Sequence, residues 1–163
     1  MSQASAPLPD GRPPVLAPAE ESTTKSLLLL FALPLLSLLL SLSGSATLPL
    51  LDRDEPRFAE ATREMQERGE WSVPFFNGAY RLDKPPLIYW LMGTCFRIFG
   101  ENEIGARMPS ILLTAVLTLL VFLIGRNLFG PRSGAIAALA LATSLQILIH
   151  GRLALADIPM VLS

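Results

Sequence analysis

Residues 26–51 read SLLLLFALPLLSLLLSLSGSATLPLL and contain no charged side chain. A transmembrane helix needs about 20 apolar residues. The leucine-rich part of this stretch supplies them, so it predicts a membrane span over about residues 27–48. A cleaved signal peptide is the alternative, with the small residues 43–46 as its cleavage site. The long polar segment before the run and the apolar segments after it favour a protein with several spans.

The charged residues are concentrated in one block. Hydrophobic residues make up 51% of the 163 residues and charged residues only 17%, against about a quarter charged in an average soluble domain. Of the 27 charged residues (13 Lys and Arg plus 14 Asp and Glu), 18 lie between residues 52 and 107. Hydrocarbon excludes charge, so this block pattern indicates a bilayer. The net charge of −1 argues against nucleic acid as a partner.

Two further apolar segments follow the charged block. They predict spans over about residues 109–126 and 133–150. The last segment carries small residues at intervals of four, which suits close packing between helices: Gly134, Ala138 and Ala142.

The short turn between these two spans predicts the orientation of the chain. It is flanked by Arg126 and Arg132, and the positive-inside rule places such a turn in the cytoplasm. Alternation then places residues 1–25 in the cytoplasm and the loop of about residues 52–107 outside. The tail, residues 1–25, has five prolines and no apolar periodicity, so it is predicted to be disordered. The sequence therefore predicts an all-α integral membrane protein.

The outer loop is predicted to contain two helices and a turn. After Asp54, apolar residues recur at helical spacing and Gly69 ends the run, which indicates an amphipathic helix at the membrane surface: Phe58, Ala61 and Met65. A second helix, over about residues 87–99, is rich in aromatic residues, as is typical of an interfacial anchor. Its single cysteine, Cys95, is predicted to serve packing.

Two acids are the candidates for chemistry. Asp54 follows the first span closely, and Asp157 lies in an otherwise apolar stretch. An ionisable residue at a membrane boundary is a candidate functional residue. Each acid also has a structural interpretation as the cap of a helix. The predicted topology places both carboxylates on the same side of the membrane, which favours a shared site.

Cations near these acids are candidates for binding phosphate. Lys84 precedes Pro85 and Pro86, which restrict the backbone as it returns to the membrane. Its alternative role is that of an ordinary lysine whose charge reaches the interface. Arg152 and His150 form a second candidate, although His150 is better interpreted as a boundary residue. The sequence implies no cofactor, and no metal-ligand spacing or nucleotide loop supports a divalent metal.

The charged loop carries an ordered series of short motifs. They are Asp54-Glu55-Pro56-Arg57-Phe58-Ala59-Glu60, Arg63-Glu64-Met65, Gly69-Glu70-Trp71, Asn77-Gly78, Asp83-Lys84-Pro85-Pro86-Leu87, Tyr89-Trp90, Phe99-Gly100 and Arg107-Met108-Pro109. With these motifs in this order and at this spacing, the chain resembles the bacterial members of the dolichyl-phosphate-mannose–protein mannosyltransferase superfamily. These include the 4-amino-4-deoxy-L-arabinose transferases of lipid A and glycosyltransferase families 39 and 83. The resemblance covers about residues 48–163.

The resemblance implies a fold, a reaction and a set of site residues. The fold is a GT-C bundle of many spans with juxtamembrane helices in the first extracytoplasmic loop, and residues 26–163 form its N-terminal part. The reaction moves a sugar from a polyprenyl-phosphate donor to a lipid, glycan or protein acceptor at the outer face of the bacterial inner membrane. Asp54 and Asp157 match the catalytic acids. Lys84 matches the phosphate-contacting lysine, and Arg57 and Arg152 are further candidates for the donor phosphate.

Two other functional classes remain alternatives. A transporter or flippase for lipid-linked sugars explains the spans and the boundary charges, but not the ordered motifs of the loop. A non-catalytic membrane subunit explains Asp54 and Asp157 as helix caps.

Overall fold

The computed structural model describes residues 23–50, 54–82, 84–154 and 161. These residues are mostly helical, as predicted. The prediction for the tail falls almost entirely on residues outside the described part of the chain. In chain order the elements are α1 (Thr23–Leu42), α2 (Asp54–Arg68), β1 (Phe75–Phe76), β2 (Ala79–Tyr80), α3 (Leu87–Phe99), α4 (Glu103–Phe129), α5 (Pro131–Thr143) and α6 (Leu145–His150).

Three apolar helices, α1, α4 and α5, pack against one another. Their shared core contains Leu33 from α1, Phe122 from α4 and Ala138 from α5. Of the described helices, α4 alone has both the length and the hydropathy of a membrane span, and the apolar part of α1 is shorter. The faces of α1 and α4 that point away from this core expose apolar side chains: Leu28, Phe31, Leu35, Leu39, Leu112, Val116, Leu120 and Ile124.

Small and polar residues line the contacts within this bundle. The hydroxyls of Ser37 in α1 and Thr118 in α4 lie 3.1 Å apart and are buried. A Cβ added to Gly134 in α5 would lie 2.6 Å from the backbone of α4 at Phe122 and Arg126. Gly134, Ala138 and Ala142 are all buried. The predicted close packing by small residues is confirmed.

The structure corrects the bounds of all three predicted spans. Helix α1 ends at Leu42, before the predicted end near residue 48. Helix α4 begins at Glu103, before the predicted start near Pro109, because Asn102 caps it: its side chain accepts a hydrogen bond of 2.9 Å from the backbone N–H of Gly105. Pro109 lies inside the helix and does not end it. The apolar segment after Arg132 is broken at Ser144, whose backbone is extended and whose hydroxyl accepts from Ile147 N–H at the start of α6.

The two predicted loop helices form a second layer. The predicted bounds of α3 are confirmed, and Gly69 follows the last residue of α2 in a left-handed conformation, with φ +66°. The apolar face of α2 packs on α3, with the rings of Phe58 and Tyr89 5.5 Å apart and the Thr62 hydroxyl 3.3 Å from the Met92 sulfur. The buried aromatic face of α3 provides this partner. The position of α2 at the membrane surface stays a prediction.

Candidate functional site

A cleft lies where the first half of α2 faces the β1–β2 hairpin. Its volume is about 430 Å³, and we call it the arginine cleft because two of its lining residues are arginines. The lining residues are Arg57, Phe76, Ala79, Tyr80, Arg81 and Leu82.

A tight turn and contacts to α2 place the hairpin beside this helix. Asn77 and Gly78 both have positive φ, 51° and 82°, as the two central residues of a short hairpin turn require. The backbone N–H of Asn77 donates to the Glu64 carboxylate on α2 at 3.1 Å. The Arg68 guanidinium lies 3.5 Å from the centre of the Phe75 ring. The hairpin is therefore anchored to α2 at its turn and at β1.

Aromatic rings hold the guanidinium of Arg81 beside the cleft. It lies 4.8 Å from the centre of the Phe58 ring and 5.8 Å from that of Phe76, within the range of cation–π attraction. Phe58 itself is buried. Arg81 thus adds a second guanidinium to the wall that Arg57 lines.

Asp54 and Arg57 form an exposed pair at the start of α2. The Asp54 carboxylate lies 3.7 Å from an Arg57 guanidinium nitrogen, with side chains 51% and 43% exposed. Because both are accessible, an incoming ligand can reach either charge. Lys84 is partly buried, two residues beyond the cleft residue Leu82.

The structure separates the predicted phosphate-binding cations. Arg57 lines the arginine cleft, whereas Arg152 lines a second cavity of about 310 Å³ between the end of α1, α4 and α6. Arg152 donates to the Leu40 carbonyl at 2.9 Å. The remaining lining of this second cavity is Arg107 of α4 and, for the most part, leucine and isoleucine. The other predicted acid, Asp157, lies outside the described residues.

A buried ion pair joins the juxtamembrane layer to the bundle. Glu55 and Arg107 form two hydrogen bonds of 3.0 Å, and their side chains are 0% and 3% exposed. The same guanidinium donates to the carbonyls of Ser45 at 2.7 Å, Leu48 at 2.8 Å and Pro49 at 2.8 Å. We call Glu55 and Arg107 the ion-pair hub.

The hub also holds the chain that follows α6. The backbone N–H of Ala154 donates to the Glu55 carboxylate at 2.7 Å. One carboxylate and one guanidinium therefore connect the end of α1, the start of α2, the first turns of α4 and the segment at Ala154.

Hydrogen bonding and burial shift the pKa values of Glu60 and Cys95, which lie outside the cleft and the ion-pair hub. A hydrogen bond from Arg63 lowers the pKa of Glu60 on the polar face of α2. Burial raises the pKa of the Cys95 thiol on α3, and its burial agrees with its predicted packing role. Among the described residues, no group of three or more His, Cys, Asp or Glu side chains is placed to hold a metal ion.

Comparison with known proteins identifies the family. The model of the dolichyl-phosphate-mannose–protein mannosyltransferase family matches residues 83–163, which include Lys84, Arg107 and Arg152. The chain belongs to this superfamily.

Relatives within the superfamily share a more specific name. The chain is 37% identical over 124 residues to undecaprenyl phosphate-alpha-4-amino-4-deoxy-L-arabinose arabinosyl transferase 2 of Pseudomonas fluorescens, covering 72% of this chain and 21% of that protein. It is 37% identical over 105 residues to the corresponding transferase of Edwardsiella ictaluri, covering 64% of this chain and 19% of that protein. The chain thus spans about a fifth of the length of these curated relatives.

A solved structure of the superfamily matches the fold. ArnT from Cupriavidus metallidurans superposes in the apo state with a TM-score of 0.72 and 26% sequence identity, covering 85% of this chain and 25% of that protein. The same protein bound to undecaprenyl phosphate superposes with the same TM-score. The described helices therefore follow the GT-C membrane fold of that transferase.

The sequence analysis of this superfamily member did not predict three residues of the described sites: Glu55, Arg81 and Arg107. Arg81 precedes Lys84 by three positions but carries no distinguishing pattern. Glu55 has a signal: it shares the spacing of the buried stripe formed by Phe58, Thr62 and Met65. An acid on an apolar stripe requires a buried partner. Arg107, which directly precedes the apolar segment of α4, is the candidate partner that the sequence offers.

Proposed function

We propose that the protein carrying this chain transfers a sugar from a polyprenyl-phosphate donor to an acceptor. The observation that carries the proposal is the accessible Asp54 carboxylate, 3.7 Å from Arg57 at a cleft lined by two guanidinium groups. The names of the transferase relatives and the ArnT complex with undecaprenyl phosphate support a donor of this class.

The charges of Asp54 and of the cleft arginines suit the charges that develop during glycosyl transfer. The acceptor oxygen bonds to the anomeric carbon while the bond from that carbon to the phosphate oxygen breaks. The electron pair of the broken bond leaves on the polyprenyl phosphate, and positive charge develops on the sugar. Asp54 stabilises that positive charge, and the cations stabilise the departing phosphate. If the acceptor is a hydroxyl, its proton passes to a carboxylate acting as general base.

Each predicted site residue keeps a place in this proposal. The donor phosphate binds Arg57 and Arg81 at the arginine cleft, and Lys84, two residues beyond the cleft residue Leu82, supplies a third cation. Asp157 is the second acid. Arg152 lines the second cavity. Its positive charge suits the phosphate head of the lipid, and the leucine and isoleucine side chains beside it suit the apolar chain.

The reaction is proposed to take place at the outer face of the bacterial inner membrane. The apolar helices α1, α4 and α5 would cross or enter the bilayer, and the turn at Gly130 would lie in the cytoplasm. Helices α2 and α3 then lie outside, where a lipid, glycan or protein acceptor is accessible. No soluble nucleotide donor is needed, because the lipid phosphate itself is the leaving group.

Replacement of Asp54 tests the proposal. We expect Asp54→Asn in the full-length protein to reduce sugar transfer by roughly 100- to 1,000-fold, the scale for loss of one group that stabilises transition-state charge. The measurement is transfer from polyprenyl-phosphate sugar at equal membrane abundance. Glu67→Gln is the matched control, because Glu67 is an exposed acid on the same helix and pairs with Arg63.

The outcome separates the functional classes. A wild-type transfer rate in Asp54→Asn would reduce Asp54 to a structural acid and contradict the mechanism. If the wild-type protein moves lipid-linked sugar across a vesicle membrane without transferring the sugar to an acceptor, the result would favour a transporter or flippase.

A further inference from the structure

We propose that Glu55 and Arg107 are positioning residues of the transfer site, an inference that rests on the proposed function. The buried pair holds the start of α2, which carries Asp54, against the chain at Ala154, three residues before Asp157. Neither hub residue needs to touch substrate for this role.

The hydrogen bonding of Arg107 makes the hub rigid. A guanidinium has five N–H groups in a fixed planar arrangement. All five are used: two bonds go to Glu55 and three to the carbonyls of Ser45, Leu48 and Pro49. A lysine at this position would offer three donors without the planar fork. The turn after α1 is therefore held at the same point as the start of α2.

The Glu55 carboxylate completes the connection. One of its oxygens accepts both from Arg107 at 3.0 Å and from the Ala154 backbone N–H at 2.7 Å. Asp54 precedes Glu55 directly in the chain, so any movement of Glu55 is passed to the backbone of Asp54. The position of Asp54 relative to the chain at Ala154 thus depends on the carboxylate of Glu55.

The cost of burying this pair argues for such a role. Removing two charges from water opposes folding, and well-packed apolar residues in place of a buried pair are often equally stable. What an apolar replacement cannot supply is the set of six directional bonds, five from Arg107 and one from the Ala154 N–H, that joins four chain segments. Transfer needs reacting groups held in a precise arrangement, and a displacement of about 1 Å can reduce a rate on the order of 100-fold.

Glu55→Gln and Arg107→Lys in the full-length protein test the proposal. Glu55→Gln keeps the shape but loses the charge, and Arg107→Lys keeps the charge but loses the fork. We expect each to lower kcat on the order of 100-fold and to change donor KM far less, because the hub fixes the start of α2 and not the segment that carries the cations Arg81 and Lys84. Glu60→Gln is the matched control, since it removes a charge from the partly exposed Glu60–Arg63 pair of the same helix.

A second measurement does not depend on the proposed reaction. Hydrogen exchange should speed up in peptides covering residues 44–49 and 151–154 of each hub variant, while peptides from α3 keep wild-type exchange. If the wild type transfers no sugar, the proposed function fails and the exchange result still tests the hub. Wild-type kcat and wild-type exchange in both variants would overturn the positioning role. Loss of inserted protein in both would assign the pair to folding and overturn it as well.

Discussion

Asp54 and Glu55 are neighbouring acids in the sequence with opposite environments. Successive residues of a helix point about 100° apart, because one turn takes 3.6 residues. Asp54 therefore stays half exposed beside Arg57, while Glu55 falls on the buried stripe and meets Arg107. One acid is placed to meet a ligand, and the other is placed to hold the structure that presents it.

The role proposed for Lys84 depends on a single ammonium group. We expect Lys84→Ala in the full-length protein to weaken use of the polyprenyl-phosphate donor by roughly 2–3 kcal/mol, the scale of a hydrogen bond to a charged group. This corresponds to a roughly 30- to 160-fold loss in kcat/KM for the donor. The measurement is transfer kinetics at varied donor concentration in membranes of equal protein content.

Lys84→Arg is the matched variant, because it keeps a positive charge at the same position. It should retain more donor use than Lys84→Ala. Unchanged kinetics in Lys84→Ala would show that Lys84 is an ordinary interfacial lysine.

Among the helices, the contact between α4 and α5 depends on the absence of side chains. Gly125 and Gly134 face each other so closely that a Cβ on Gly125 would lie 2.8 Å from the Cα of Gly134. Without a strong hydrophobic force between helices in lipid, such close approach supplies much of the association energy. The turn at Gly130, with φ +88°, allows α5 to fold back at once along α4.

Gly134→Ala tests this packing. The added Cβ would lie 2.6 Å from backbone atoms of Phe122 and Arg126, which rigid helices cannot avoid without moving apart. We expect a net destabilisation of about 1–3 kcal/mol, the usual cost of overpacking, although alanine favours a helix over glycine. The measurement is thermal unfolding of the detergent-solubilised full-length protein. Ser133→Ala is the matched control: the position is exposed, so this variant should unfold at the wild-type temperature. A Tm of Gly134→Ala equal to or above that of the wild type would contradict the close packing of α4 and α5.

For the whole molecule, the proposed function requires α2 and α3 to lie outside the cytoplasm. Two exposed serines report on this: Ser72 follows α2, and Ser133 lies in the first turn of α5 beside Arg132. In intact cells, we expect Ser72→Cys to react with a membrane-impermeant thiol reagent and Ser133→Cys to react only after the membrane is permeabilised. Both changes are nearly isosteric and exposed, so each variant is the control for the other.

The native cysteine does not interfere with this experiment. Cys95 is buried, and burial raises the pKa of its thiol, so less of the reactive thiolate is present at neutral pH. Labelling of Ser133→Cys but not Ser72→Cys in intact cells would reverse the orientation and remove the site from the outer face.

Local patterns in the sequence determined the helices and their faces. Apolar periodicity, Gly69 and the aromatic run predicted α2 and α3, small residues every four positions predicted the packed face of α5, and the ordered motifs led to Asp54, Arg57 and Lys84. These features can be predicted from the sequence because each depends on residues within one or two helical turns. The sequence analysis missed the extension of α4 to Glu103 and the break at Ser144. Both helix ends are set by a single capping residue, and the apolar pattern around each cap does not mark it.

Only the tertiary structure decided which faces meet. Glu55 and Arg107 are 52 residues apart, and no periodicity in either helix specifies that the two charges pair or that Ala154 joins them. The same holds for Arg81, which the hairpin brings to Arg57, and for Arg152, which lines a different cavity from Arg57. The physical reason is that local sequence sets the direction of a side chain relative to its own helix. Its partner is set by the packing of the whole chain, which balances the burial of charge against the bonds that this burial permits.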